Sequence, residues 1–150
     1  MEIRCATHDE AVALEALQRR SSAVWDEYRE QLAAHPDAIE PLDVGAIAAG
    51  GFRVAVDGAG ALLGFSAVLA ADADGVVELD GLFVEPEAMR RGVGRALVED
   101  VVARARAGGA TAIEVIGGPE TRRFYEGCGF VAVADAPTRF GPATRRRRVL

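Results

Sequence analysis

Leu82-Phe83-Val84-Glu85-Pro86-Glu87-Ala88-Met89-Arg90-Arg91-Gly92-Val93-Gly94-Arg95-Ala96-Leu97-Val98 passes from an apolar segment through a proline into a basic turn, then into an amphipathic repeat. That order predicts a strand, a loop and a helix. The first N–H groups of a helix have no intrahelical partner. Gly92 and Gly94 carry no Cβ, so another molecule can approach that backbone closely. Aligned peptide dipoles concentrate partial positive charge there, and Arg90, Arg91 and Arg95 add more. The stretch predicts a seat for phosphate.

Two common phosphate loops do not fit it. The dinucleotide pattern G-x-G-x-x-G needs a third glycine, which would fall at Leu97. The Walker loop needs a lysine to reach the phosphates, and the chain has no lysine.

Upstream, Glu2–Ala6 reads as an edge strand, and Thr7-His8-Asp9-Glu10 as a capping box opening a helix to about Arg20. Ser21 or Ser22 would cap a second helix through Trp25, Tyr28 and Leu32, followed by a loop with one helical turn at Val44–Ala48. Phe52–Val56 and Leu62–Ala70 form a hairpin across Asp57-Gly58-Ala59-Gly60, and Val76–Val84 is the next strand. Downstream, Val93, Leu97, Val101 and Ala105 mark a helix that Gly108-Gly109 ends. Ala112–Ile116 is a buried strand, and Pro119 opens a short helix to about Glu126. Phe130–Val133 and Arg145–Leu150 are the last two strands. The fold class is mixed α/β (α+β), one domain over residues 1–150.

Composition narrows the function. Half of the 150 residues are hydrophobic and few are aromatic, so the core should be aliphatic. No apolar run reaches the roughly 18 residues of a membrane span, and Met1-Glu2-Ile3-Arg4 starts no signal peptide; a cytoplasmic location is expected. Cys5 and Cys128 are the only cysteines and form no CxxC, so neither a disulfide framework nor a metal site is expected. Residues 1–90 hold 17 acidic and 6 basic side chains, against 6 and 11 in residues 91–150. That asymmetry suits an anionic ligand held by the C-terminal half, or two solvated faces of unlike sign.

Arg145-Arg146-Arg147-Arg148 is the densest charge run. On a strand its side chains alternate between faces, so it cannot make one four-arginine patch. Without interleaved aromatics or a recognition helix, it reads as a salt-bridged or interface strand; no nucleic acid is expected.

Three segments together resemble the GNAT superfamily of N-acetyltransferases. Glu78-Leu79-Asp80-Gly81-Leu82-Phe83-Val84-Glu85-Pro86 is similar to that family's central strand, and Arg90-Arg91-Gly92-Val93-Gly94-Arg95-Ala96-Leu97 to its pyrophosphate loop and helix. Arg123-Phe124-Tyr125-Glu126-Gly127-Cys128-Gly129-Phe130 resembles its F-Y-E-x-x-G-F segment. The chain departs from the pattern at Met89, where Arg or Gln is usual, at Gly118, where asparagine is common, and at Thr121, which replaces a common alanine.

The resemblance implies a mostly antiparallel sheet of about seven strands flanked by about four helices. It implies acetyl transfer from acetyl-CoA to a primary amine, by direct attack in a ternary complex and without a metal. The N–H groups from Arg91 through Arg95, beside Arg90, would cradle the diphosphate, and the backbone of Leu82, Phe83 and Val84 would pair with the pantetheine arm. Tyr125 would protonate the departing thiolate; the alternative is that Phe124-Tyr125 merely packs the last helix. Glu78 and Asp80, on one face of the central strand, are candidate bases for the amine, directly or through water, or are exposed or salt-bridged instead.

Trp25 and Tyr28, beside Asp26, Glu27 and Glu30, would either wall a pocket for a cationic amine or pack as core. The acceptor, small molecule or peptide, is not specified by the residues. Nor is the oligomeric state, for which the resemblance offers a homodimer through the C-terminal strands. A non-catalytic CoA- or acyl-CoA-binding sensor is the rival reading.

Overall fold

The computed structural model describes residues 1–24, 30, 33–34, 42 and 44–150. Strand β1 (Glu2–Cys5) leads into a 3-10 turn (His8–Glu10) and helix α1 (Ala11–Ser22). The Glu10 carboxylate accepts the Thr7 N–H at 2.9 Å, the reciprocal half of the expected capping box. Helix α2 (Val44–Ala48) precedes the hairpin of β2 (Phe52–Val56) and β3 (Leu62–Val68). Next come β4 (Val76–Val84), a 3-10 turn (Pro86–Ala88) and helix α3 (Val93–Ala107). Strand β5 (Ala112–Gly117), a 3-10 turn (Pro119–Thr121), α4 (Arg122–Gly127), β6 (Val131–Asp135) and β7 (Thr144–Val149) complete the order.

The strands form a seven-stranded sheet in the order β1-β2-β3-β4-β5-β7-β6. The β1–β2, β2–β3, β5–β7 and β6–β7 pairs are antiparallel. The β4–β5 pair, joined through α3, is parallel. This is the mixed, mostly antiparallel sheet that the resemblance implied.

The chain divides into two compact units, Met1–Ala67 with Gly81–Leu97 and Val68–Asp80 with Val98–Leu150. In the first, Leu14 and Leu17 of α1 pack with Ile47, Val54 and Phe65. Phe65 stacks on Phe52 at 6.1 Å, and its complete burial is worth about 1.5–3 kcal/mol. A smaller cluster joins Ala55, Ala88, Val93 and Leu97, so the loop after β4 is fastened by the side chains on either side of it. In the second unit, Val101, Val102, Ile113, Val115, Tyr125 and Phe130 are buried.

Some boundaries differ from the sequence reading for hydrogen-bonding reasons. Ser21 and Ser22 finish α1 instead of capping a later helix, because Ala23 N–H still reaches the Arg19 carbonyl at 3.0 Å. Phe130 lies in the turn that closes α4 and not in β6: its N–H bonds the Tyr125 carbonyl at 3.0 Å across Gly129, whose φ is +86°. Trp25 and Tyr28 lie outside the described residues.

Candidate active site

The loop expected to seat phosphate lies within the first unit. Pro86 at the start of its 3-10 turn has no N–H to satisfy, and Ala88 N–H bonds the Glu85 carbonyl at 2.9 Å. Glu85 is ion-paired with Arg20 of α1. The chain then takes left-handed conformations at Arg90 (φ +64°) and Gly92 (φ +83°) before α3 starts. The bond from Ala96 N–H to the Gly92 carbonyl, 3.0 Å, opens that helix. Among the described residues, no protein group accepts a well-formed hydrogen bond from the N–H of Arg90, Arg91, Gly92, Val93 or Gly94. A Cβ added to Gly92 would meet nothing within 4 Å, so the space over this backbone is open. Arg95, expected in the same cradle, already has an interaction partner within the protein.

Left-handed backbone at a non-glycine residue costs roughly 1–2 kcal/mol. Arg90 adopts it because the turn must reverse direction between the anchored residues Ala88 and Val93. Alternating left-handed residues also turn successive N–H groups toward a common concavity, a geometry suited to an anion.

Just before the loop, β4 presents Leu82, Phe83 and Val84. The Phe83 ring lies 5.2 Å from Phe65, whereas Leu82 and Val84 pack on the cluster of Ala55, Ala88, Val93 and Leu97. The backbones of β3 and β4 approach so closely that a Cβ on Gly64 would lie 2.7 Å from the Phe83 carbonyl oxygen. The ladder between β4 and β5 runs from Val76↔Ala112 to Leu79↔Val115, while β4 itself continues to Val84.

In the second unit, α4 buries Tyr125, leaving it 7% exposed. Its ring meets Phe124 edge-on at 5.1 Å and Phe130 edge-on at 5.6 Å. Burial, with Cys128 adding to it, raises the Tyr125 phenol well above its ordinary pKa of about 10. The hydroxyl therefore keeps its proton throughout the neutral range. Phe124, next to it, is partly exposed.

The two expected bases differ in setting. Glu78 is half-buried, and its carboxylate takes the Arg145 guanidinium at 3.3 Å; Asp80 is exposed. The resemblance gave no role to Glu114, yet this buried carboxylate receives Arg145 at 3.0 Å on one oxygen and Arg147 at 2.7 Å on the other. The signal for it was a lone acid inside the apolar run Ala112–Ile116. On the opposite face of β7, Arg148 bonds Glu99 and the Cys128 carbonyl, each at 2.9 Å, and buried Arg146 lies 3.8 Å from Glu126. The arginine run is thus split between two faces and salt-bridged.

Among the described residues, no group of three or more His, Cys, Asp and Glu could hold a metal ion. Nor is any helix long and apolar enough to cross a membrane.

Residues 13–130 match the profile of the acetyltransferase (GNAT) family. No curated protein matches the sequence. Solved structures with the same fold include the PaiA N-acetyltransferase of Thermoplasma acidophilum in complex with coenzyme A, at 18% identity and a TM-score of 0.80 over 99% of this chain and 98% of that one. A GCN5-related N-acetyltransferase from Rhodopseudomonas palustris aligns at 20% identity and a TM-score of 0.81, covering 99% and 95%. An aminoglycoside 6'-N-acetyltransferase complexed with coenzyme A aligns at 18% identity and 0.72, covering 99% and 97%. The chain belongs to the GNAT acetyltransferase family. Membership makes it an acetyl-CoA-dependent acetyltransferase.

Proposed function

We propose that the protein moves the acetyl group of acetyl-CoA directly to a primary amine within a ternary complex. The observation that carries this reading is the row of unengaged N–H groups from Arg90 to Gly94 at the start of α3. In the proposal these amides hold the diphosphate, with Arg90 and Arg91 beside it, and the Leu82–Val84 backbone pairs with the pantetheine arm. A backbone donor on the thioester oxygen stabilises the developing oxyanion, typically by about 3–4 kcal/mol. The amine nitrogen attacks the thioester carbon, the C–S bond breaks, and Tyr125 gives its proton to the sulfur. The amine's own proton leaves to Glu78, to Asp80 or to water. The Glu78 carboxylate is already engaged by Arg145, whereas Asp80 is exposed and open to an incoming amine or water.

A cationic acceptor fits the acidic balance of residues 1–90, where Trp25 and Tyr28 are the candidate lining residues. The aminoglycoside enzyme of the same fold is consistent with an amine acceptor. Exposed Val131, Val133 and Val149 on β6 and β7 support a homodimer through those strands.

Thiol release from acetyl-CoA across a panel of polyamines, amino acids, aminoglycosides and peptides tests the reading. Turnover with at least one amine, falling about 100-fold or more in Tyr125→Phe while acetyl-CoA still binds, supports it. Binding without turnover on any amine, unchanged by Tyr125→Phe, supports the sensor instead.

A further inference from the structure

The two places where this chain leaves the family pattern after β5, Gly118 and Thr121, sit in one local arrangement with Tyr125. Gly117 ends β5, Gly118 precedes the 3-10 turn, and Thr121 closes that turn one residue before α4. The Gly118 carbonyl accepts two hydrogen bonds from Thr121, from its N–H at 3.1 Å and from its hydroxyl at 2.7 Å. The hydroxyl bond fixes the side-chain rotamer and lays Oγ1 over Gly117. A Cβ built on Gly117 would overlap that Oγ1 and come within 3.3 Å of Tyr125 Cε2. Thr121 and Tyr125 are four residues apart and so share a face of the helical segment. The bare backbone of Gly117 therefore seats both side chains at once.

We propose that Thr121 is a positioning residue for Tyr125. Its hydroxyl, tied to the Gly118 carbonyl and interlocked with Gly117, sets where the helix begins and how the Tyr125 ring lies. Gly117 is required because its missing Cβ is the space that Oγ1 and the ring edge occupy. The phenol ring is then held by Gly117, Phe124 and Phe130. The catalytic consequence rests on the proposed role of Tyr125 as the acid; the interlock does not.

Tyr28 and Tyr125 are the only tyrosines, so protein carrying 3-fluorotyrosine gives two fluorine resonances, and Tyr125→Phe assigns them. Thr121→Ser keeps the hydroxyl and is expected to leave the Tyr125 resonance and turnover near wild type. Thr121→Val keeps the volume but loses the donor; it should shift or broaden that resonance. Misplacement of the reacting group should lower kcat about 10- to 100-fold with the KM for acetyl-CoA unchanged. Gly117→Ala should displace the resonance further, and adding Thr121→Ala to it should bring the signal back toward wild type. A Tyr125 resonance and kcat that stay at wild type in both Thr121→Val and Gly117→Ala overturn the proposal. If Gly117→Ala does not fold, the Val and Ser variants decide alone. Failure of the acid role shows separately, as wild-type turnover in Tyr125→Phe, while the resonances still decide the interlock.

Discussion

Replacing Gly92 by alanine separates the cost of backbone strain from the loss of a ligand. Gly92 has φ +83°, and its added methyl would meet no protein atom within 4 Å. Gly60, in the β2–β3 turn, has the same φ of +83° and the same empty surroundings. Left-handed backbone costs an L-residue roughly 1–2 kcal/mol, partly offset by about 0.4–1 kcal/mol from a stiffer unfolded chain. Gly92→Ala and Gly60→Ala should therefore each lose about 1 kcal/mol, a fall in Tm of about 2–4 °C for a chain of this size. Their binding should differ. At Gly92 the methyl would intrude on the open space that the proposed phosphate would occupy. Losing one charge-assisted hydrogen bond there is worth about 1.5–3 kcal/mol, or about 10- to 100-fold in the Kd for acetyl-CoA. Gly60→Ala should bind as wild type does. Differential scanning fluorimetry gives the first quantity and calorimetric titration the second. Equal acetyl-CoA affinity in the two variants would refute a phosphate seat at this loop.

Two further outcomes follow from the second unit. Glu114→Gln removes the carboxylate that Arg145 and Arg147 share; because both arginines remain partly open to water, the loss should be about 1–3 kcal/mol, read as a lower urea midpoint. An undiminished midpoint would mean that the cluster contributes nothing. Tyr125 should stay un-ionised through pH 10, where an ordinary tyrosine is half-ionised. Its phenol binds a proton more tightly folded than unfolded, so its share of stability is complete below about pH 10 and declines as pH rises beyond that value. The difference in absorbance at 295 nm between wild type and Tyr125→Phe follows the ionisation; an ordinary titration near pH 10 would contradict the burial.

Much of this architecture was legible because local signals and tertiary needs agree. Val76–Val84 and Val44–Ala48 fall where the pattern puts them, and the strand–loop–helix around Gly92 reads directly from Pro86, the glycines and the spacing of Val93, Leu97 and Val101. Ser21 and Ser22 misled because a serine caps a helix start and also tolerates a helix end; the Ala23–Arg19 bond decides, and no local pattern reveals it. Phe130 looked like a strand residue because its role in closing α4 depends on the left-handed turn at Gly129. Glu114 was missed because its partners lie 31 and 33 residues away in the arginine run. Thr121 stood out only as a departure from the family pattern and Gly117 not at all, since close packing of one side chain over another residue's Cα has no periodicity.

Calorimetric titration of the protein with acetyl-CoA tests the central claim most directly, because it needs no knowledge of the acceptor. The free amides at the start of α3 predict saturable heat with a Kd of about micromolar order, −8.2 kcal/mol at 1 μM, weakened by salt. No heat at millimolar acetyl-CoA would contradict the account.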